Sequence, residues 1–476
     1  MAQTIRSRIE AAAKKLRRHK QDHLLKFVDQ LNQDEKLEFL GDIEGLDLDF
    51  LDTLIEKYVL GEPETKLASS LEPVPIYRTQ PKSGQEGKYQ QGRELGERLI
   101  AEHKVAAFTV AGGMGTRLRF DGPKGCMPAT PLRNKTLFQV FAEGILATQR
   151  RYNCIVPWYI MTSPANHNRT MEHFEEKDYY GLDAANVKFF PQGVMPCFDK
   201  SGKMLLAQRY RLASSPDGHG GSLRALHVSG ALEDMNRRGV QYISYFQVDN
   251  PLVQVIDPLF IGLHAQDRAE MSCKALVKCE PLEKVGNFVL ADGRVSVIEY
   301  SDLPEELARK RRDNGELMFQ WGNPAIHILS RGFVEKINSK GFSLPWHRAI
   351  KSVDYLDDTG NLITPEKPNA VKLETFVFDA LGLAEKSIVL EIERAEQFAP
   401  IKNFSGVDSL QSSQELQVAR SAGWMEQAGI TVPRKDDGTP DVVLEISPLF
   451  ALDAEELTRK RAQLRPLKAG DMVYLG

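Results

Sequence analysis

Short apolar runs alternate with amphipathic helical segments from residue 105 onward, and this alternation restricts the fold more than any other feature of the sequence. The runs that have the length and composition of buried strands are residues 105–110, 158–162, 187–190 and 242–248. Between them, Thr136 and Gln139 predict a helix N-terminus, and Gly239 ends a helix predicted over 222–238. Strands separated by helices form a sheet that is covered on both faces. The sequence therefore predicts an α/β protein with a mixed, mostly parallel sheet.

The first hundred residues follow a different pattern, that of amphipathic helices. Leu24, Phe27, Val28 and Leu31 recur at helical spacing. The prolines that interrupt this pattern and predict an extended connection are Pro63, Pro73, Pro75 and Pro81. Further along, Asp292-Gly293 predicts a β-hairpin. We expect a helical N-terminal region over 1–100, a large α/β domain over 101–410 and a small C-terminal domain over 411–476.

Composition excludes several classes of protein. The 476 residues carry 61 Lys and Arg against 65 Asp and Glu, a formal net charge of −4, which gives no basic footprint for nucleic acid. No window approaches the ~18 consecutive apolar residues of a membrane span, and no secretory signal is expected at the N-terminus. The 5 cysteines lack metal-site spacing and are expected to be reduced thiols of a cytoplasmic protein. The oligomeric state stays open.

The segment most informative about chemistry follows the first predicted strand directly. It reads Ala111-Gly112-Gly113-Met114-Gly115-Thr116-Arg117, and Pro123-Lys124-Gly125 comes shortly after it. Glycines allow positive φ angles and close approach of the backbone, so successive N–H groups can point at phosphate oxygens. Arg117 and Lys124 add positive charge for the same anion. The alternative is a tight structural turn beside a surface lysine, because the pattern matches neither common phosphate-loop motif.

These motifs, in this order, resemble the signature of the eukaryotic-type UDP-N-acetylhexosamine pyrophosphorylases, which are relatives of the UDP-glucose and UDP-sugar pyrophosphorylases. Further motifs with the same resemblance are Lys135-Thr136-Leu137-Phe138-Gln139, Pro191-Gln192-Gly193, Val248-Asp249-Asn250-Pro251-Leu252, Val297-Ile298-Glu299-Tyr300-Ser301, Lys367-Pro368-Asn369 and Glu445-Ile446-Ser447-Pro448-Leu449. The resemblance covers nearly the whole chain. It implies a Rossmann-like nucleotidyltransferase core and an enzyme that forms a UDP-sugar and pyrophosphate from UTP and a sugar-1-phosphate.

The resemblance also implies roles for individual residues. The expected nucleotide contacts are Ala111, Gly112, Gly113, Lys124, Gln192, Gly218, Asp249 and Lys372. The expected sugar-phosphate contacts are His219, Glu299, Tyr300, Asn323 and Lys402. Arg117, Lys124 and Lys402 are expected to assist the reaction by neutralising phosphate charge, and Asp249 is expected to hold Mg²⁺, the implied cofactor.

Two departures from the family pattern concern the sugar. His219 stands in Gly218-His219-Gly220, where the N-acetylhexosamine enzymes have asparagine and the UDP-glucose enzymes have histidine. Trp321 replaces a small residue, and either lines the pocket or packs in the core. N-acetylglucosamine-1-phosphate is the expected substrate, with glucose-1-phosphate as the alternative. A third hypothesis is a non-catalytic protein that binds nucleotide sugars, although the predicted lysines and Asp249 are all present.

Overall fold

The computed structural model describes residues 2–61 and 68–476, so Pro63 of the predicted connection lies outside the described residues. The α-helices are α1 Ala2–Arg18, α2 Gln33–Gly45, α3 Leu48–Leu54, α4 Glu86–Ala101, α5 Leu137–Tyr152, α6 His167–Glu176, α7 Gly221–Val228, α8 Ala231–Arg237, α9 Pro258–Gln266, α10 Glu305–Arg309, α11 Arg331–Asn338, α12 Ala380–Leu383, α13 Arg394–Gln397, α14 Leu410–Gln427 and α15 Ala454–Arg459. Within the described ranges, no helix is long and apolar enough to span a membrane.

The strands are β1 Leu71–Glu72, β2 Val105–Val110, β3 Trp158–Thr162, β4 Val187–Pro191, β5 Val194–Pro196, β6 Phe198–Asp199, β7 Leu206–Gln208, β8 Arg211–Leu212, β9 Ser214–Pro216, β10 Tyr242–Gln247, β11 Met271–Val277, β12 Gly286–Ala291, β13 Arg294–Ile298, β14 Trp321–Asn323, β15 His327–Ser330, β16 His347–Lys351, β17 Tyr355–Leu356, β18 Leu362–Ile363, β19 Ala370–Glu374, β20 Ser387–Glu391, β21 Val443–Ile446 and β22 Met472–Leu475.

The chain forms two compact units. The first comprises Met1–Leu67, Gly193–Gly221 and Leu344–Val377, and the second comprises Ala68–Gln192, Ser222–Ser343 and Phe378–Gly476. These units do not follow the boundaries expected at residues 100 and 410, and that three-part division stays a prediction.

The second unit is built on an 11-stranded mixed sheet. Strands β2, β3, β4, β10, β11, β12 and β20 run in one direction, and β1, β13, β14 and β15 run in the other. Its core contains fully buried aromatic side chains such as Phe138, Phe141 and Trp158. The expected α/β fold with a mixed, mostly parallel sheet is confirmed.

The order of the parallel strands determines where a ligand can bind. Along the sheet, β10 is followed by β2, β3 and β4, so β2 has its sequence successor β3 on one side and β10 on the other. This matches the 3-2-1-4 part of the Rossmann strand order 3-2-1-4-5-6, and the order reverses between β2 and β10. Open α/β sheets bind ligands at the carboxyl ends of the strands at such a switch point. The residues that follow Val110 and Gln247 therefore occupy the expected ligand position.

Most of the local predictions for this unit agree with the structure. All four predicted strands form, and the side chain of Thr136 accepts a hydrogen bond from the backbone N–H of Gln139 at the start of α5. Asp292 and Gly293 both have positive φ, 45° and 80°, in the predicted hairpin between β12 and β13. The helix predicted over 222–238 is wrong as a single element, because the chain breaks into α7 and α8 at Gly230, whose φ is +75°.

The first unit has a hydrophobic core of its own, in which the N-terminal helices share buried apolar side chains with strands from later in the sequence. Phe27 and Phe39 belong to this core together with Phe198 and Val371. The buried amide of Gln21 adds two hydrogen bonds, to the carbonyl of Gly202 at 2.9 Å and from the N–H of Met204 at 2.9 Å. The segment of Leu24 and Phe27 is helical as predicted, but it is a 3₁₀ helix over Asp22–Gln30.

Candidate active site

The glycine segment is held at the end of β2 by hydrogen bonds to its backbone. The N–H of Ala111 donates to the carbonyl of Met161 at 2.8 Å, which continues the pairing of β2 with β3. The side-chain amide of Asn166 donates to the carbonyls of Ala111 at 2.9 Å and Gly113 at 3.2 Å. Asn166 is fully buried, and sequence reasoning did not single it out. The N–H of Lys124 also donates to Gly113, at 3.0 Å, which brings the lysine back beside the glycines.

Two glycines of this segment, Gly112 and Gly115, are required by space rather than by backbone angle. None of Gly112, Gly113 and Gly115 has a positive φ, so the expectation of left-handed backbone here is wrong. A Cβ atom at Gly112 would lie 2.4 Å from Oε1 of Gln192, and one at Gly115 would lie 2.7 Å from the ring of Phe120. A Cβ atom at Gly113 would meet no protein atom within 4 Å. The structure therefore brings Gly112 and Gln192, two of the expected nucleotide contacts, next to each other.

Lys124 and Asp249 meet at the switch point. The ammonium Nζ of Lys124 lies 3.7 Å from Oδ2 of Asp249, and the two side chains are 15% and 14% exposed. Burial lowers the pKa of the Lys124 ammonium, and the positive charges of Lys402 and Arg117 act in the same direction against the attraction of Asp249. Lys124 thus pairs with one carboxylate and lies within range of two further cations. Because the cations repel one another, a polyphosphate placed among them would relieve the repulsion.

Lys402 reaches this position because its loop is tied to the end of β10. The side chain of Asn250 donates to the carbonyl of Gln397 at 2.7 Å and accepts from the N–H of Ala399 at 3.0 Å. The N–H of Ile401 donates to the carbonyl of Asp249 at 2.9 Å. Sequence reasoning identified Asp249 and Lys402 but gave no role to Asn250. The Asp-Asn-Pro motif therefore supplies both a carboxylate for the site and the amide that holds the lysine loop.

The expected sugar contacts of the second unit lie around β12, β13 and β14. Glu299 follows β13, and Asn323 is the last residue of β14. An ideal Cβ atom at Gly286 would lie 3.5 Å from Oε1 of Glu299 and 3.7 Å from the Cβ of Asn323, so the structure brings these two residues together. Tyr300, next to Glu299, is 45% exposed. Glu299 and Asn323 therefore lie near each other at the ends of β13 and β14.

Trp321 does not line an open pocket. Its side chain is 2% exposed, and the guanidinium of Arg78 lies 5.0 Å from the centre of its ring. Between the two alternatives considered from the sequence, the structure favours packing inside the protein.

The first unit contains Gly218, His219 and Lys372. Gly218 has a φ of +84°, and a Cβ atom there would lie 2.3 Å from the carbonyl oxygen of Thr375, so only glycine fits. Thr375 directly follows β19, the strand that carries Lys372. The N–H of Gly220 donates to the same carbonyl at 2.8 Å. The turn of Gly218 and His219 therefore rests on the end of the strand of Lys372.

The environment of His219 fixes its protonation state. Nδ1 of His219 accepts a hydrogen bond from the N–H of Val377 at 3.1 Å, and the ring stacks on Phe376 at 5.3 Å. Burial, with a smaller contribution from His347, lowers the pKa of His219 to about 4. At pH 7 the ring is neutral, and because Nδ1 accepts, the proton is on Nε2. His219 is thus a hydrogen-bond donor at Nε2.

The donor atoms at the switch point determine whether a magnesium ion could bind there. In the described ranges, no three His, Cys, Asp or Glu side chains are grouped so that they could hold a metal ion. Asp249 provides one carboxylate at the switch point. Mg²⁺ is commonly bound by one or two carboxylates together with substrate phosphates and waters. The residues therefore fit a magnesium ion that arrives with a nucleotide, and do not form a permanent metal cage.

Cys126, two residues after Lys124, is not a reactive group. Burial raises the pKa of its thiol to about 12, so it stays protonated at neutral pH. Its neighbour Gly125 packs against the ring of Phe138, which would lie 2.2 Å from a Cβ atom at that position. Gly125 therefore fixes the turn that follows Lys124 by packing against Phe138.

A glycine segment and mutually repelling cations at the switch point of a Rossmann-order sheet define an α/β nucleotide-binding enzyme. The chain belongs to the UTP–glucose-1-phosphate uridylyltransferase family, whose profile matches residues 62–459. Membership makes it a UTP-dependent uridylyltransferase, and the resemblance inferred from the sequence motifs is confirmed.

Individual relatives match over nearly the full length. UDP-N-acetylhexosamine pyrophosphorylase-like protein 1 of Homo sapiens is 35% identical over 483 residues, which cover 96% of this chain and 94% of that protein. UDP-N-acetylglucosamine pyrophosphorylase of Saccharomyces cerevisiae is 32% identical over 418 residues, 86% of each chain. Among solved structures, the uridine diphosphate N-acetylglucosamine pyrophosphorylase of Trypanosoma brucei in complex with an inhibitor has a TM-score of 0.81 at 25% identity, and the match covers 98% of each chain.

Proposed function

We propose that this uridylyltransferase joins UTP and N-acetylglucosamine-1-phosphate to give UDP-N-acetylglucosamine and pyrophosphate. The full-length relatives named above support the choice of sugar. The observation that carries the proposal is the placement of Lys124 beside Asp249, with Lys402 and Arg117 acting on the same ammonium. This arrangement suits a reaction between two phosphates, which repel each other unless their charge is neutralised.

The reaction needs alignment more than it needs a protein nucleophile. A phosphate oxygen of the sugar-1-phosphate attacks the α-phosphorus of UTP, a new P–O bond forms, and the bond to the leaving pyrophosphate breaks in line. Because the enzyme holds both phosphates next to each other, the reaction no longer depends on a chance collision of two molecules in solution. We assign Lys124 to the phosphates of UTP, Lys402 to the sugar phosphate and Arg117 to the charge that develops during transfer. The other proposed nucleotide contacts are Ala111, Gly112, Gly113, Gln192, Gly218, Asp249 and Lys372, and the other proposed sugar contacts are His219, Glu299, Tyr300 and Asn323.

The proposed cofactor is Mg²⁺, with Asp249 as its protein ligand. When bound, it would neutralise phosphate charge in the way that divalent cations do in phosphoryl transfer. Lys124, whose ammonium lies 3.7 Å from the Asp249 carboxylate, supplies further positive charge.

Glucose-1-phosphate is the second candidate, and His219 is the observation that favours it. Histidine stands where the N-acetylhexosamine enzymes have asparagine, and its Nε2–H donates without accepting. Such a group can donate to a sugar hydroxyl, but unlike asparagine it cannot accept a hydrogen bond from an acetamido N–H.

The test is release of pyrophosphate from UTP and Mg²⁺ with each sugar phosphate in turn. The proposal predicts a higher kcat/KM with N-acetylglucosamine-1-phosphate than with glucose-1-phosphate, and UDP-N-acetylglucosamine as the product. A higher value with glucose-1-phosphate would support the second candidate. Binding of UTP without pyrophosphate release from any sugar phosphate would support a non-catalytic nucleotide-sugar-binding protein.

We also propose a cytoplasmic location. Its support is that all five cysteines are free thiols. Fractionation of cells that express the tagged full-length chain tests it, and recovery in a secretory or membrane fraction would contradict it.

A further inference from the structure

Two residues outside the expected site connect the loops that carry its cations. The guanidinium of Arg119 lies 4.1 Å from the centre of the Phe404 ring. Arg119 stands two positions after Arg117, and Phe404 stands two positions after Lys402. The contact therefore joins the glycine segment to the lysine loop directly beside the charges that act on Lys124.

Both residues are unusual for a protein surface: Arg119 in its backbone angle, and Phe404 in the exposure of its apolar side chain. Arg119 has a φ of +56° where it ends the short 3₁₀ turn Thr116–Leu118, a left-handed position that favours glycine. Phe404 is 54% exposed and Val407, in the same loop, is 80% exposed. The contact pairs an arginine that has a left-handed backbone with a phenylalanine whose ring is half exposed. The cation–π contact explains why the two side chains lie against each other.

Electrostatics explains what such a contact can do. Lys402, Arg117 and Lys124 carry the same positive charge, and like charges in one site repel one another. The repulsion pushes the loop of Lys402 away from the other cations. Within that loop, the carbonyl of Asp408 accepts hydrogen bonds from the N–H of Lys402 at 2.6 Å and of Asn403 at 2.9 Å. A cation–π contact adds attraction between the two loops without adding a negative charge to a site for phosphates.

We propose that Arg119 and Phe404 are a pair of positioning residues, which hold the lysine loop of residues 402–408 against the glycine segment so that Lys402 is in place before the sugar phosphate binds. This inference rests on the proposed function, because it concerns the placement of Lys402 for the transfer. Exposed cation–π contacts are weak, so the expected effect is roughly two- to fivefold rather than a loss of activity.

The first measurement needs no activity. Amide hydrogen exchange of residues 402–408 is compared in the ligand-free full chain for the wild type, Phe404→Leu, Phe404→Tyr and Arg119→Gly. We expect exchange roughly two- to fivefold faster in Phe404→Leu and Arg119→Gly, and wild-type exchange in Phe404→Tyr, which keeps the aromatic face. Arg119→Gly should fold at least as well as the wild type, because glycine accepts the left-handed backbone. Arg133→Ala is the matched control, since Arg133 stacks on a different ring, that of Tyr474, at 4.5 Å.

The second measurement is the pair of kinetic constants for the sugar phosphate. KM should rise by about the same two- to fivefold in Phe404→Leu and Arg119→Gly with little change in kcat, because the bound phosphate itself draws Lys402 into place. Phe404→Tyr should restore the wild-type KM. Unchanged exchange in both variants, or a Phe404→Tyr variant as impaired as Phe404→Leu, would overturn the proposal. A wild-type enzyme that released no pyrophosphate would refute the proposed function instead, and the exchange experiment would still give its own result.

Discussion

Nζ of Lys124 and Oδ2 of Asp249 are 3.7 Å apart, a distance that makes them an ion pair but is too long for a good hydrogen bond. The carboxylate follows β10 and the lysine follows the loop after β2, so the pair spans the point where the strand order reverses. The attraction of Asp249 opposes the repulsion of Lys402 and Arg117 at the same ammonium. Asp249 therefore has two proposed tasks, to steady Lys124 and to bind the magnesium ion that accompanies UTP.

Asp249→Asn tests the second task, because it keeps the shape of the side chain and removes its charge. In the wild type, Mg²⁺ should tighten UTP binding measured by calorimetry. In Asp249→Asn the tightening should be much smaller, and the magnesium concentration that gives half-maximal activity should rise. Identical magnesium titrations for the two proteins would remove Asp249 from the metal site.

Asn250→Ala tests the tie between β10 and the lysine loop. The substitution leaves the part-buried carbonyl of Gln397 and the buried N–H of Ala399 without their partner. We expect the free energy of unfolding to fall by about 1–3 kcal/mol in urea titrations, and KM for the sugar phosphate to rise as Lys402 loses its support. Asn236→Ala, at an exposed asparagine of α8, is the control and should change neither quantity. An Asn250→Ala enzyme with wild-type stability would contradict this account of the loop.

His219 makes stability depend on pH. Its folded pKa of about 4 lies below the ordinary value near 6.5, so between these values the unfolded chain binds more protons than the folded one. Stability is then fully present above pH 6.5 and is lost as the pH falls toward 4. Between pH 7 and pH 5, the wild type should lose about 1–2 kcal/mol more than His219→Asn. Equal losses in the two proteins would show that His219 titrates normally.

Substitution of Trp321 should change stability, whereas substitution of His219 should change the preference between the two sugar phosphates. Because Trp321 is 2% exposed, Trp321→Ala should reduce the free energy of unfolding by about 3–5 kcal/mol, while Trp321→Phe should keep the fold and leave the ratio of kcat/KM for the two sugar phosphates unchanged. His219→Asn should shift that ratio toward N-acetylglucosamine-1-phosphate. A ratio that moves with Trp321→Phe and not with His219→Asn would reverse these assignments.

The elements around the site could be predicted because their signals are local. The strands β2, β3, β4 and β10 are apolar runs, and the strand order they form leads directly to a ligand position. The break at Gly230 also had a local signal, a glycine inside a helical pattern. Residues that act through backbone atoms far away in the sequence gave no such signal. Asn166 bonds the carbonyl of Ala111, 55 positions earlier, and Asn250 bonds that of Gln397, 147 positions later.

The first unit shows the same limit at a larger scale. Its N-terminal helices were predicted from their periodicity, but their partners are strands from two later segments of the chain. The amide of Gln21 bonds Met204 across 183 positions, and no local pattern indicates this pairing. The prediction of positive φ angles in the glycine segment was wrong for another reason. Glycine is required at positions 112 and 115 because neighbouring residues leave no space for a Cβ atom, which the sequence does not reveal.

The most direct test of the central claim is pyrophosphate release by Lys124→Ala and Lys402→Ala, compared with Lys340→Ala at an exposed lysine. A charge-assisted contact to phosphate contributes ~1.5–3 kcal/mol, so each of the first two variants should lose roughly ten- to a hundredfold in kcat/KM. Lys340→Ala should keep wild-type activity, and all three should unfold at wild-type urea concentrations within error. Wild-type turnover by Lys124→Ala or Lys402→Ala would contradict the assignment of these lysines to uridylyl transfer.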